Sequence, residues 1–241
     1  MSNFELIDFD TPGALAKDVA ERLLGFVSGR QKTILCLSGG RITVALFREL
    51  RTRSENNNDA GRREFVDSTD FFWADERCVP ASDPESNYGI AQQDLFAPLN
   101  IAPERIHRIP GEADPVFAAQ MAEAELCRIA PLNDEGIPVI DLLLLGMGED
   151  GHVASLFPGH AVDEKWIDAI YRPVTGPKPP PRRITLSHRA VAAAKEVWVL
   201  VSGEGKEEAF RRALAGDKAI PLGRVLNERT DTLIFSDLNR L

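Results

Sequence analysis

The sequence predicts one α/β domain over residues 1–241, with a mainly parallel β-sheet that carries helices on both faces. Short, almost wholly apolar runs, which are typical of central parallel strands, alternate with segments in which apolar residues have helical spacing. No internal repeat, low-complexity tract or clear linker divides the chain. This regular alternation favours a single domain with a mainly parallel sheet.

The elements of the first third follow from local patterns. A helix is predicted over residues 11–29, from a Thr-Pro cap to a glycine, and a strand over Thr33–Leu37. A glycine turn then leads into a helix that contains Val44 and Leu50. Residues 52–69 are polar, with three consecutive asparagines, and are predicted to be a surface loop.

In the middle third, a strand over residues 71–73 ends in the charged run Asp75-Glu76-Arg77. A helix over residues 88–95 follows. A second helix is predicted over Pro115–Ile129, with Phe117, Met121 and Ala124 on one face.

The last third begins with a strand over residues 141–145, and the proline-dense residues 173–181 are predicted to be a semi-rigid loop. The next strand, Glu196–Val201, leads through glycines to Lys206 at the start of a helix. The last strand is predicted over residues 232–235.

Composition limits the classes of partner. The chain has 28 basic and 37 acidic residues, a net charge of −9, which argues against nucleic acid or an anionic membrane as the main partner. Because no targeting leader or long apolar run is present, a cytoplasmic protein is expected. Cys36, Cys78 and Cys127 form no Cys-x-x-Cys pair, so buried thiols are expected, not disulfides or a zinc site.

The loop after the strand at 141–145 is the first candidate site. Three glycines within residues 146–151 let the backbone turn sharply, and Asp150 and His152 follow closely. Imidazole suits general-base catalysis near neutral pH, and a carboxylate can fix its tautomer. The alternative is an ordinary surface turn with a capping aspartate. His107, His160 and His188 lack a comparable setting and are interpreted as incidental.

A second glycine loop, Ser38-Gly39-Gly40-Arg41, links a strand to a helix N-terminus, where free N–H groups favour a phosphate. The alternative is a tight turn without a ligand. The loop matches neither a dinucleotide fingerprint nor a P-loop, so a nucleotide is not expected.

Cations fall near predicted strand ends, where an acidic protein would need them to bind an acidic substrate: Arg77, Arg183 and Lys206. Each could instead be a surface charge, and Asp75 or Glu76 could pair with Arg77. The chain contains no Gly-x-Ser-x-Gly elbow and no His-Glu-x-x-His or other metal-ligand spacing. Covalent serine catalysis and zinc hydrolysis are therefore disfavoured, and no metal or cofactor is expected.

Together, five segments resemble the 6-phosphogluconolactonase family: residues 37–40, 73–77, 146–158, 183–186 and 205–206. The resemblance spans most of the chain, in order. It implies a Rossmann-like α/β fold and a superfamily that also contains glucosamine-6-phosphate deaminases, ribose-5-phosphate isomerase and CoA transferases. It also implies hydrolysis of 6-phospho-D-glucono-1,5-lactone to 6-phosphogluconate, the second step of the oxidative pentose phosphate pathway, without a cofactor.

Carried over residue by residue, the resemblance makes His152 the general base and Asp150 its orienting carboxylate. Substrate or phosphate contacts are expected from Gly39, Gly40, Arg41, Asp75, Arg77, Gly151, Ser155, Arg183 and Lys206. The glycine loop departs from the family's usual Ser-Thr-Pro continuation, because Arg41-Ile42-Thr43 stands there. Arg41 either adds a charge to the phosphate site or points to solvent.

Two other functions stay open. An amino-sugar phosphate deaminase or isomerase on the same fold would need an acid–base group such as Asp75. Arg77, at a position where the deaminase pattern has an aromatic residue, and the Ser155-Leu-Phe-Pro ending argue against it. A non-catalytic sugar-phosphate-binding protein is the second alternative. The partner expected in every case is a small sugar phosphate, and the protein is expected to be a monomer or homodimer.

Overall fold

The computed structural model describes residues 3–56 and 60–238. Its main sheet has six strands in the order β1-β9-β8-β5-β2-β3, and every neighbouring pair is parallel. Three strands of the described chain, β4, β6 and β7, lie outside this sheet. In chain order the strands are β1 (Glu5–Asp8), β2 (Thr33–Leu37), β3 (Thr69–Trp73), β4 (Asp75–Arg77), β5 (Leu142–Gly146), β6 (Tyr171–Thr175), β7 (Arg182–Leu186), β8 (Glu196–Val201) and β9 (Leu233–Ser236). The predicted α/β fold class is confirmed.

The helices cover both faces of this sheet. All residues of β2 and β3 are buried, and successive side chains of a strand point to opposite faces, so neither face is open to solvent. The helices are α1 (Pro12–Val27), α2 (Arg41–Asn56), α3 (Ala60–Asp67), α4 (Asn87–Ala91), α5 (Ala97–Leu99), α6 (Pro115–Ile129), α7 (His188–Ala193), α8 (Glu207–Leu214) and α9 (Pro221–Glu228). A π-helical turn, Gln92–Phe96, joins α4 to α5.

A second, three-stranded antiparallel sheet, in the order β4-β7-β6, was not predicted. The prediction of a loop over residues 173–181 is wrong at its start, because Pro173 lies in β6 opposite Ile184. A proline is tolerated there because β6 is an edge strand and does not need every N–H. Residues 176–181 form the loop that joins β6 to β7.

The prediction of a surface loop over residues 52–69 is also wrong. Helix α2 runs on to Asn56, and α3 occupies most of the remainder. Phe65 explains the second helix, because its ring is fully buried and packs edge-to-face on Phe71 of β3. Part of the asparagine run, residues 57–58, lies outside the described residues.

Helix α6 has the predicted bounds, but the face that carries Phe117 and Met121 is exposed. The helix buries small residues instead: Ala118, Ala119 and Ala122, with Leu126. Cys36 is buried, whereas Cys78 and Cys127 are only partly buried, and all three are free thiols. Within residues 3–56 and 60–238, no helix has the length and apolar character needed to cross a membrane.

Candidate active site

A cavity of about 480 Å³ lies at the carboxyl ends of β2, β5 and β8, where ligands bind in open α/β sheets. The loops after these three strands line it: residues 38–42, residues 146–149 and residues 202–203. The small sheet closes one side with Asp75, Arg77 and Arg183. Both sheets are therefore needed to complete this cavity.

The loop after β5 folds back on itself. The N–H of Gly148 donates to the His152 carbonyl oxygen at 2.9 Å, and the N–H of Gly151 donates to the Gly148 carbonyl oxygen at 3.0 Å. Gly151 has a φ of +78°, which glycine adopts without strain. This turn brings Asp150 and His152 side by side, and the His152 side chain lines the cavity.

His152 and Asp150 form a hydrogen-bonded pair between Nδ1 and Oδ1. Burial raises the pKa of Asp150, but the hydrogen bond and the charge of His152 outweigh it and lower the pKa to about 2. Because Asp150 is thus a carboxylate at neutral pH, Nδ1 must be the donor, which leaves Nε2 of a neutral imidazole as a proton acceptor. The ring also packs against Phe157, with centroids 4.8 Å apart.

Gly148 is required by the close approach of this imidazole. A Cβ on Gly148 would lie 2.1 Å from His152 Cε1 and 2.2 Å from His152 Nδ1. Because no side chain fits in that space, the glycine allows the histidine to take its place in the loop.

The glycine loop after β2 lines the same cavity as the loop after β5. Gly40 has a φ of +112°, and a Cβ on Gly39 would lie 2.0 Å from Asn87 Oδ1. Helix α2 begins directly afterwards, so the unpaired N–H groups of its first turn lie at the cavity. Arg41 lines the cavity and is also exposed to solvent, so it adds positive charge to this end of the cavity while its role toward a phosphate stays a prediction.

Lys206 stands at the N-terminus of α8 and lines the same part of the cavity. Burial lowers the pKa of Lys206, and repulsion from Arg41 lowers it further. The preceding loop is held by Asp237, which accepts hydrogen bonds from Ser202 Oγ at 2.6 Å and from the Gly203 N–H at 3.4 Å. Sequence reasoning missed Asp237, because nothing in its local pattern distinguishes it.

The side chain of Arg77 forms no ion pair with Asp75 or Glu76, although its backbone N–H donates to Glu76 Oε1 at 2.7 Å. Its Nη1 donates to the carbonyl oxygen of Glu85 at 2.7 Å and to Oε2 of Glu85 at 3.2 Å. The buried carboxylate of Glu76 instead accepts backbone N–H groups, among them those of Asn87 and Tyr88 at 2.8 Å each. Glu76 therefore fixes the start of α4, while Arg77 remains at the cavity.

Arg183 is 5% exposed, and its Nε donates to the Pro180 carbonyl oxygen at 2.9 Å. Burial lowers its pKa, and attraction to Asp75 opposes that effect. Its Nη2 donates to the carbonyl oxygen of Lys178 at 3.4 Å. Lys178 also lines the cavity, and its Nζ lies 3.4 Å from Glu149 Oε2. Sequence reasoning missed Lys178, because its place in the proline-dense run is its only distinguishing feature in the sequence.

Two predicted contact residues do not line the cavity. Ser155 is fully buried, and its hydroxyl donates to Asp75 Oδ2 at 2.5 Å, so it supports Asp75 from behind the cavity wall. Gly151 lies against Ile220, where a Cβ would be 2.4 Å from Cγ2, so its role is to shape the loop. Asp150 lies behind His152.

The cavity is rich in positive charge. Five cations line it, Arg41, Arg77, Lys178, Arg183 and Lys206, against two carboxylates, Asp75 and Glu149. In a chain with a net charge of −9, this concentration selects an anionic ligand. In the described part of the chain, no three His, Cys, Asp or Glu side chains are grouped so as to hold a metal ion.

Comparison with known sequences and structures identifies relatives of this chain. The family described as "Glucosamine-6-phosphate isomerases/6-phosphogluconolactonase" matches residues 10–234. The 6-phosphogluconolactonase of Streptomyces coelicolor is 36% identical over 84% of this chain and 78% of its own length. That of Rattus norvegicus is 34% identical over 92% of this chain and 84% of its own. The structure of the 6-phosphogluconolactonase of Trypanosoma cruzi superposes with a TM-score of 0.82 at 26% identity, covering 98% of this chain and 95% of the other.

The matched region contains both glycine loops, the Asp150–His152 pair and all five cavity cations. The chain therefore belongs to the glucosamine-6-phosphate isomerase/6-phosphogluconolactonase family.

Proposed function

We propose that this protein hydrolyses 6-phospho-D-glucono-1,5-lactone to 6-phosphogluconate, the second step of the oxidative pentose phosphate pathway. The observation that carries the proposal is the His152–Asp150 pair at the edge of a cavity with five cations. The relatives named above as 6-phosphogluconolactonases support the same substrate.

The substrate phosphate is held at the end of the cavity where Arg41 and Lys206 meet the N-terminus of α2. Lys206 supplies a point charge, and Arg41 supplies planar N–H donors that match phosphate oxygens. Arg77 and Arg183 bind the same anion or the sugar from the opposite wall.

The reaction begins when a water attacks the lactone carbonyl carbon while Nε2 of His152 takes one of its protons. Asp150, which remains ionised, holds Nδ1–H and stabilises the imidazolium that forms. The new C–O bond converts the carbonyl oxygen into an oxyanion. As this intermediate collapses, the ring C–O bond breaks and the imidazolium returns the proton to the leaving ring oxygen. The positive cavity stabilises the developing charge.

Asp75 is the residue that a deaminase or isomerase would use as its acid–base group. Asp75 does line the cavity, but its Oδ2 accepts the Ser155 hydroxyl and its backbone carbonyl accepts Asn87 Nδ2 at 2.8 Å. We assign Asp75 the role of fixing Arg183 and the cavity wall. His152 then remains as the proton acceptor.

The test is a coupled assay on freshly generated lactone, with the rate of spontaneous hydrolysis subtracted. We expect enzyme-dependent formation of 6-phosphogluconate and no ammonia from glucosamine 6-phosphate. Ammonia release without lactone hydrolysis would establish the deaminase. Ligand-dependent stabilisation without turnover of either substrate would establish a binding protein.

Lys206→Ala tests the phosphate site. Loss of one charge-assisted contact should raise KM roughly tenfold or more with little change in kcat. Lys218→Ala, at an exposed position outside the cavity, is the matched control and should leave both constants unchanged. An unchanged KM in Lys206→Ala would remove this residue from the phosphate site.

A location in the cytoplasm and a monomeric or homodimeric state stay predictions.

A further inference from the structure

A buried arginine outside the active-site cavity lacks a partner. Arg172, on β6, is only 6% exposed and pairs through its backbone strand with Thr185 of β7, yet its side chain makes no hydrogen bond or ion pair with any residue that the structure describes. Arg229, which is buried to a similar degree, has the hydrogen-bond partners that Arg172 lacks. Arg229 is 7% exposed and donates to five backbone carbonyl oxygens, three of them through Nη1.

A second unpartnered group lies at the same place. His188, the first residue of α7, has a buried Nδ1 with no hydrogen-bond partner in the described chain. Arg172 lies opposite Thr185 of β7, three residues before His188, and α7 packs against α9, which carries Arg224. Both guanidinium groups therefore lie near His188 and repel its proton. Glu228 also faces this histidine, but its Oε1 already accepts Arg224 Nε at 2.7 Å.

The charges at this cluster do not balance. Two guanidinium groups face one carboxylate, and the better buried of the two has no acceptor for any of its five N–H groups. The Arg172 side chain has little contact with water and no counter-charge, which is unfavourable, so a small anion that reaches its nitrogens from solvent is expected to complete the cluster. Guanidinium pairs with tetrahedral oxyanions through parallel hydrogen bonds, and the adjacent Arg224 adds a second positive charge.

We propose that Arg172, Arg224 and His188 form a second anion-binding site, which takes a phosphate group. None of these residues lines the active-site cavity, so the site is separate from the one that binds the substrate. The phosphate could be free inorganic phosphate or the phosphate ester of a metabolite, since both present the same oxygens.

His188 provides a local reporter of binding. Burial, together with the charges of Arg224 and Arg172, lowers its pKa to about 4. A bound phosphate would offset those charges and favour the imidazolium, so it should raise the His188 pKa by about 1. The chain has four histidines, and the His188→Gln variant identifies the His188 resonance in NMR spectra.

The experiment titrates the whole protein with inorganic phosphate, and separately with glucose 6-phosphate, while the His188 signal is followed across pH. We expect a saturable shift of the His188 resonance and pKa in the wild type and in Lys206→Ala, whose active-site cation is gone. Arg172→Met keeps the buried apolar stem and should weaken phosphate binding at least about tenfold. Saturation at a lower concentration of glucose 6-phosphate would identify a phosphate ester as the natural source, and equal or weaker binding would identify free phosphate.

The proposal fails if phosphate leaves the His188 signal unchanged, or if Arg172→Met responds as the wild type does. Thermal unfolding shows whether Arg172→Met is folded. The exposed variant Arg224→Gln, which leaves the buried arginine in place, provides a second test and should also weaken the phosphate response. A His188 response that disappears in Lys206→Ala would place the phosphate in the active-site cavity and would overturn the second site.

Discussion

Gly148→Ala tests the catalytic geometry sharply, because the added methyl group acts on His152 by steric contact alone. The added Cβ would lie 2.1 Å from His152 Cε1, whereas non-bonded carbons sit at about 3.5 Å. The imidazole would therefore have to move by about 1.4 Å. The φ of Gly148 is not in the left-handed region, so alanine can adopt its backbone conformation and strain does not add to the effect.

A displacement of this size should separate the imidazole from Asp150 and from the attacking water. Misplacement of a catalytic group by about 1 Å can cost roughly 10²-fold in rate. Because general-base assistance is itself worth about 10²–10⁴-fold, we expect kcat to fall by roughly 10²-fold or more, with KM less affected.

The assay is steady-state lactone hydrolysis with spontaneous hydrolysis subtracted, and circular dichroism reports whether the variant is folded. Gly25→Ala is the matched control, since its Cβ would meet nothing within 4 Å on the exposed side of α1. That variant should keep full activity and gain slightly in helix stability. If folded Gly148→Ala kept kcat within about twofold of the control, the close fit of His152 against this loop would have no catalytic meaning.

Two further predictions concern the supporting carboxylates. Asp237→Ala removes the hydrogen-bond acceptor that holds Ser202 and Gly203. We therefore expect KM to rise roughly tenfold with kcat nearly unchanged. An equal loss of kcat would contradict this positioning role. The pKa of Asp150 in the folded protein is about 2, below the roughly 3.9 of an unfolded aspartate. The ionised carboxylate therefore stabilises the fold above about pH 4, and this contribution is lost as the pH falls through about 2. Urea unfolding should therefore show Asp150→Asn most destabilised relative to wild type above pH 4 and nearly equal to it at pH 2, whereas a constant difference would refute the linkage.

The parallel sheet and the Asp150–His152 loop could be predicted because each depends on local sequence. A five-residue apolar run such as β2 defines a buried strand, and the two residues of the pair are separated by one glycine. Lys206 follows a glycine-rich strand end at a helix start, which is also a local pattern. The family resemblance then brought these separate loops together.

The small antiparallel sheet could not be predicted in this way, because its pairing is distant in sequence. Asp75 of β4 lies opposite Thr185 of β7, and prolines obscure the strand character of β6. The cavity contribution of Lys178 depends on that same pairing, since Arg183 holds its carbonyl oxygen. Asp237 reaches Ser202 across two neighbouring strands, β8 and β9, which no local pattern reveals.

The polar segment before β3 was mispredicted for a different reason. Composition there favours a loop, but Phe65 gains more from burial against Phe71 than the polar residues lose by forming a helix. Tertiary packing therefore outweighed the local preference in this segment.

The central claim is that His152 takes a proton from the water that attacks the lactone. The most direct measurement is kcat for 6-phosphogluconolactone with the His152→Ala protein, with spontaneous hydrolysis subtracted and folding verified. We predict a fall of about 10²–10⁴-fold with a similar KM, because the five cations that line the cavity are all retained and still hold the substrate. A His152→Ala protein that hydrolysed the lactone at the wild-type rate would contradict the account.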